Sequence, residues 1–274
     1  MIISELLHIA RDVEGGELIV RHVLGLSPTE LLQRENNLVS ETDVVAIKAL
    51  LTRREAGEPV AYIIGEKDFF GRSFLVTPDV LIPRPESEWL VEQVLQFAAQ
   101  KQTPITIIDV GTGSGCLAVS VAKELEQRDL AYSVTGTDVS PAALAVAQKN
   151  AERLNAQYIS FQNNNLLEGL KTFDIIIANL PYVPVSDYQK LYGNLRFEPE
   201  LALTDNTDHF VLLERFLQQL PKHLNAHGLA LLETDPASYE ILTPVLVGLS
   251  QQYNWTITWH KDLHGLWRYI RITA

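Results

Sequence analysis

The stretch Asp109-Val110-Gly111-Thr112-Gly113-Ser114-Gly115 constrains this chain more than any other. It follows an apolar run, Ile105-Thr106-Ile107-Ile108, that reads as a strand, and it opens a helical pattern from Cys116 to about Gln127. Three glycines in five residues let the backbone approach a ligand with no Cβ in the way. Ligands in open α/β sheets bind outside the carboxyl ends of the strands, where a strand-to-helix loop must lie. A dinucleotide fingerprint reads G-x-G-x-x-G, but position 116 is Cys and the third glycine comes one residue early. No Gly-Lys-Ser/Thr follows, so this is not a P-loop. The expectation is a nucleotide-type cofactor that is not a dinucleotide.

The pattern around the loop repeats strand and helix. Pro83-Arg84-Pro85-Glu86 opens a predicted helix to about Ala99, and Ser140-Pro141 opens an Ala-rich one to about Asn155. Further strands are expected over 132–137, 158–162, 173–178, 228–234, 255–259 and 267–273. Strands separated by helices predict an α/β fold, a parallel sheet with helices on both faces. The first 57 residues instead read as short helices, one of them begun by Ser40-Glu41-Thr42-Asp43 and stopped by Gly57 and Pro59. Residues 60–77 carry aromatic and β-branched clusters broken by Gly65 and Gly71, which read as a connecting hairpin. Two domains are expected, 1–76 including the hairpin and 77–274.

Composition narrows the function. Hydrophobic residues make up 46% and charged residues 20%, so the chain can fold around a core. With 22 Lys+Arg against 34 Asp+Glu the formal net charge is −12, which argues against direct binding of nucleic acid. One cysteine, Cys116, excludes a disulfide framework. No apolar run approaches a membrane span, and Glu5, His8 and Arg11 interrupt the apolar start. A cytoplasmic protein with no membrane partner is expected. His223 with His227, and His260 with His264, are four apart but lack an H-E-x-x-H pattern, so no metal is expected.

Two further elements sharpen the chemistry. Asp138 ends the strand after the glycine loop, where a carboxylate can accept hydrogen bonds from ribose hydroxyls. Asp109 could orient the loop or receive an ammonium group. Both suit S-adenosylmethionine. Asn179-Leu180-Pro181-Tyr182 follows the apolar strand 174–178 at its carboxyl end, beside the glycine loop. An amide nitrogen is a poor nucleophile, and acceptors held on its two N–H bonds favour in-line attack on a methyl sulfonium. The side-chain oxygen of Asn179 and the carbonyl of Leu180 are the candidate acceptors. Pro181 would stiffen the loop, and Tyr182 would offer a face for a planar group.

Asp109 to Gly115, Asp138 and Asn179 to Tyr182 together resemble a class I S-adenosylmethionine-dependent methyltransferase acting on a planar nitrogen. Leu81-Ile82-Pro83-Arg84-Pro85-Glu86-Ser87-Glu88, Phe197-Glu198-Pro199-Glu200-Leu201-Ala202-Leu203 and Asp262-Leu263-His264-Gly265-Leu266-Trp267-Arg268 are more specific. They resemble the HemK-type peptide chain release factor glutamine methyltransferases. The resemblance implies a Rossmann-like class I methyltransferase sheet, a small helical N-terminal domain for substrate recognition and a hairpin between them. It implies methylation of the glutamine side-chain amide in a release factor's Gly-Gly-Gln motif; a monomer is the default expectation for a protein that docks so large a partner. It also implies adenine contacts at Asn165, where the family has an acidic residue, and at Leu166.

The chain departs from the family at Leu180, where proline is usual, and lacks glycines over 204–209 and after Glu233. Asn-Leu-Pro-Tyr also resembles the motif of ribosomal RNA adenine dimethyltransferases. Two alternatives therefore stand beside the leading expectation. One is an adenine or guanine N-methyltransferase acting on rRNA or DNA. The other is a cofactor-binding module with a decayed acceptor site.

Overall fold

The computed structural model describes residues 1–101, 104–190, 193–207 and 209–274. They form two compact units, Met1–Glu66 with Tyr192–Phe197, and Lys67–Leu191 with Glu198–Ala274.

Among the described residues the first unit holds the α-helices α1 Ile3–Ala10, α2 Gly16–Leu24, α3 Pro28–Gln33, α4 Glu41–Glu55 and α5 Val60–Ile64, and the 3-10 helix Gly193–Phe197. Their starts and stops follow from local chemistry. Ser27 and Glu30 close a reciprocal capping box on α3, Ser40 accepts from the Asp43 N–H to begin α4, and Gly25 ends α2 at φ +63°. Leu6, Ile19, Val20 and Ile47 are fully buried at the centre of this bundle. The expected hairpin began at Val60, but Val60–Ile64 is helical. Pro59 supplies the entry and Gly65, at φ +77°, the exit, so a five-residue run with four β-branched or aromatic side chains closes one turn instead of a strand.

The hairpin itself is shorter, β1 Glu66–Phe69 and β2 Arg72–Leu75. All of it but Glu66 falls in the second unit, which begins at Lys67. The cause is packing. Phe69 and Phe74 bury their rings edge to face, centroids 6.2 Å apart, in the core formed by the main sheet and its helices.

That core is built on α6 Glu88–Ala98, β3 Ile105–Val110, α7 Cys116–Gln127, β4 Tyr132–Asp138, α8 Pro141–Arg153, β5 Ile159–Asn163 and β6 Phe173–Asn179. The rest of the unit adds the short helices α9 Val185–Tyr188 and α10 Glu200–Leu203, then α11 Val211–His223, β7 Leu224–Glu233, α12 Ser238–Tyr253, β8 Thr256–Lys261 and β9 Trp267–Thr273. The seven-stranded sheet runs β5-β4-β3-β6-β7-β9-β8. Alternate residues feed opposite faces. Ile105, Ile107, Ile175, Ile177, Leu229 and Leu231 pack under α6 and α7, while Ile108, Val110, Ile176, Ala178, Ala230 and Leu232 pack under α11 and α12. Both faces being covered explains why these strands read as continuous apolar runs.

One strand departs from the parallel sheet expected. β9 is antiparallel to both β7 and β8. Only Asp262–Leu266 separates β8 from β9, and so short a link makes a hairpin, whereas a parallel crossover needs a dozen residues or more. The Asp262 carboxylate holds that turn, accepting from the His264 and Leu266 N–H groups and pairing with Arg268 at 2.8 Å. The fold is a Rossmann-like α/β sandwich. Its strand order reverses between β3 and β6, which opens a crevice at their carboxyl ends.

Candidate active site

A cavity of about 640 Å³ occupies that crevice. Of the expected site residues, Gly111, Thr112, Gly113, Ser114, Asp138, Asn165, Leu166, Asn179, Leu180 and Pro181 line it. Asp109, Gly115 and Tyr182 do not; they hold the lining from behind.

The glycine loop is fastened at several points. The Gly111 and Thr112 N–H groups both donate to the Thr137 carbonyl at 2.8 Å, and the Gly113 N–H donates to Asp138 Oδ2 at 3.0 Å. Gly111, Gly113 and Gly115 have φ of +74°, +54° and +78°, a region that costs other L-residues roughly 1–2 kcal/mol. Space matters too. A Cβ on Gly115 would lie 3.0 Å from the Ala147 Cβ, and one on Gly111 would lie 3.0 Å from the Leu180 Cδ2. Leu180, where the resembled family has proline, is thus a buried side chain packed against the glycine loop.

Asp109 lies beneath the loop, fully buried. Its Oδ2 accepts from Thr112 Oγ1 at 2.7 Å and from the Ala118 N–H at 3.2 Å, tying the loop to the first turn of α7. Burial pushes this carboxyl up to about 6, with those two donors opposing the shift. The folded value exceeds the ordinary 3.8. Stability contributed below that value is therefore lost as pH rises through about 6, because the folded state binds the proton more tightly. Asp109→Asn keeps an acceptor and removes the titration. Its unfolding free energy in urea should lack the parent's decline between about pH 4 and 6; the same slope in both proteins would contradict this.

Asp138 stands on the cavity wall. Its Oδ1 accepts from the Ser140 N–H at 2.9 Å and its Oδ2 from Gly113, so each oxygen retains acceptor capacity toward the cavity. Burial raises its pKa, and the backbone donors at Ser140, Gly113 and Val139 oppose that. Leu166 lines the next part of the wall at φ +55°, an uncommon conformation for a branched residue. Asn165 is exposed, and its Nδ2 donates to Glu168 Oε1 at 3.1 Å.

At the end of β6, Asn179 Nδ2 donates to Ser87 Oγ at 3.0 Å, and Ser87 Oγ donates to Glu233 Oε2 at 2.6 Å. Tyr182 was expected to offer a ring face in the site. Its hydroxyl instead donates to Glu233 Oε1 at 3.3 Å, and its ring packs on the core beneath α11 and α12. Glu198 joins two walls of the cavity. Its buried carboxylate accepts from the Ile82 N–H at 3.0 Å and pairs with Arg84 at 2.5 Å. Cys116 also borders the cavity, and desolvation pushes its thiol up to about 12, which removes it as a nucleophile.

The sequence reading gave Ser87 no role, although it lies inside a quoted motif, and it missed the wall supplied by Asp205, Thr207, Leu212 and Arg215. Of the glycine-poor stretch 204–209, Asp208 lies outside the described residues. The others are held by short turns: Asp205 accepts from the Thr207 and Leu212 N–H groups at 3.0 and 2.9 Å.

The sheet order and a strand-end site of this make define a Rossmann-like methyltransferase. Residues 5–65 match the PrmC N-terminal domain, and residues 101–254 match a methyltransferase domain. The release factor glutamine methyltransferase of Bordetella pertussis is 41% identical over 213 residues, covering 77% of each chain. That of Nitratidesulfovibrio vulgaris is 34% identical over 261 residues, covering 93% of this chain and 86% of the relative. Among solved structures, the hMettl16 catalytic domain in complex with the MAT2A 3'UTR hairpin 6 aligns with a TM-score of 0.58 at 16% identity, over 85% of this chain and 81% of that one. At that identity the likeness concerns the fold. The chain belongs to the release factor glutamine methyltransferase family.

Proposed function

We propose that this chain transfers a methyl group from S-adenosylmethionine to the side-chain amide nitrogen of the glutamine in the Gly-Gly-Gln motif of a peptide chain release factor. The observation that carries the reading is that one cavity is walled both by the glycine loop with Asp138 and by Asn179 with Leu180. A binding module would need only the first of these.

The residues present fit the cofactor. Gly111 and Gly113 form a cradle that side chains would fill, Asp138 presents free acceptor capacity suited to ribose hydroxyls, and Val139 and Leu166 add apolar wall beside it. When bound, S-adenosylmethionine supplies an electrophilic methyl group on a sulfonium. Asn179 Oδ1 and the Leu180 carbonyl accept the two N–H bonds of the substrate amide, which turns its nitrogen lone pair toward attack. Fixing that approach lowers the barrier by up to roughly 7–11 kcal/mol. The chain need supply no general base, because an amide nitrogen that has gained a methyl group is acidic enough to lose its proton to water. The helical residues 1–66 are assigned to holding the release factor. A translation factor as partner puts the reaction in the cytoplasm.

Labelled methyl transfer to purified release factor, total RNA and DNA tests the reading. Label is expected in release factor alone, in keeping with the net charge of −12. Label in RNA or DNA alone would overturn it in favour of a nucleic-acid methyltransferase. Tight cofactor binding with no label in any acceptor would leave only a binding module.

A further inference from the structure

Ser87 and Glu233 are 146 residues apart in the chain, yet both are buried and joined to Asn179 in one hydrogen-bonded row, with Ser87 beside Asn179 in the cavity lining. We propose that Ser87 and Glu233 are positioning residues whose hydrogen-bond polarity sets which way the Asn179 amide faces. The proposal rests on the methyl-transfer reading above and adds to it the group that orients the acceptor.

An ionised carboxylate has no proton to give. With Glu233 ionised, Ser87 points its only hydroxyl proton at Glu233 Oε2, and the neutral Tyr182 hydroxyl points its own at Oε1. With that proton spent, Ser87 Oγ can only accept from Asn179. The Asn179 NH2 is thereby held on Ser87, which leaves Oδ1 as the end of the amide not tied to it, at the wall of the cavity that both residues line. A primary amide flipped the other way would present N–H to the substrate's N–H, a repulsive arrangement. Asn179 and Glu233 are also direct partners in the β6–β7 ladder, so the row is fixed to adjacent strand ends.

Protonation of Glu233 reverses the row. Its carboxyl could donate to Ser87 Oγ, Ser87 could donate to Asn179 Oδ1, and the amide would be free to turn over. Several groups face Glu233. Ser87 and Glu86 precede α6, Tyr182 follows β6, Arg268 and Tyr269 lie on β9, and Cys116 begins α7. Burial raises the Glu233 pKa most, Glu86 adds to this, and Ser87, Arg268 and Tyr182 oppose it. Turnover should therefore fall on the acid side as Glu233 takes up its proton.

Steady-state kinetics on release factor, with parent, Ser87→Ala, Ser87→Thr and Glu233→Gln enzymes, test this. Ser87→Ala should lower kcat roughly 10- to 100-fold, by analogy with the loss when a hydrogen-bond partner that orients a metal-ligating side chain is removed. The cofactor Kd should stay within about threefold of the parent's, since a turned acceptor leaves the cofactor cradle intact. Ser87→Thr keeps the hydroxyl and should recover most of the loss. Both Ser87→Ala and Glu233→Gln should lose the acid limb of the kcat–pH profile. An unchanged kcat in Ser87→Ala, a loss that Ser87→Thr does not restore, or an acid limb retained in both variants would each overturn the proposal. Failure of the parent to methylate release factor would instead overturn the functional reading, so the two are told apart by the parent enzyme alone.

Discussion

Asn179→Ala should lower turnover on release factor roughly 100- to 1,000-fold, the range for removing one preorganised hydrogen-bond partner from a reacting group. The affinity for S-adenosylmethionine should stay within about threefold of the parent's. The split follows from where the side chain sits. Asn179 closes the end of β6, and its amide is held by Ser87, not by any atom of the glycine loop. Its removal leaves Gly111–Gly115 fastened to Thr137 and Asp138 as before. What is lost is an acceptor needed only when the substrate nitrogen rehybridises, so the effect belongs in kcat. Isothermal titration with the cofactor and labelled transfer to release factor read the two quantities separately. Parent-like turnover in Asn179→Ala would mean that the acceptor amide sits elsewhere.

Asp138→Ala should show the opposite split. Removing a charged acceptor from the ribose side should weaken cofactor binding by about 1.5–3 kcal/mol, or roughly 10- to 150-fold in Kd. Turnover at saturating cofactor should change far less. Part of the loss is indirect, because the same carboxylate accepts from the Gly113 and Ser140 N–H groups and so sets the loop as well as the ligand. Asp138→Asn separates the two contributions: it retains one oxygen acceptor for the loop and loses the charge, and should fall between parent and alanine. Equal Kd values for parent and Asp138→Ala would remove Asp138 from the cofactor site.

Much of this was legible in the order of the residues. The strand–glycine loop–helix unit and the strand-end positions of Asp138 and Asn179 fix where a crevice must form, because the chain direction in a parallel sheet carries all three to the same edge. The helix Cys116–Gln127 and the strand Trp267–Thr273 fall where their patterns put them. Other features were hidden for identifiable reasons. Val60–Ile64 has the composition of a strand, and five residues are too few for a period to overrule composition. α12 carries Pro244 in its interior and α11 carries Pro221 near its end, which masks helical continuity. Which way a side chain turns at a strand end depends on partners far along the chain. Tyr182 points to Glu233 rather than into the cavity, and Asp109 points into its own loop. Ser87 gained a role only once Glu233 and Asn179 stood beside it in space.

The central claim, that the site orients a glutamine amide for methylation, is tested most directly by locating the added methyl group. Release factor incubated with the enzyme and S-adenosylmethionine would be digested and its Gly-Gly-Gln peptide fragmented in a mass spectrometer. The account predicts the mass of one methyl group on that glutamine residue, absent when the enzyme is Asn179→Ala. A methyl group found on any other side chain, or only on RNA in the same mixture, would contradict it.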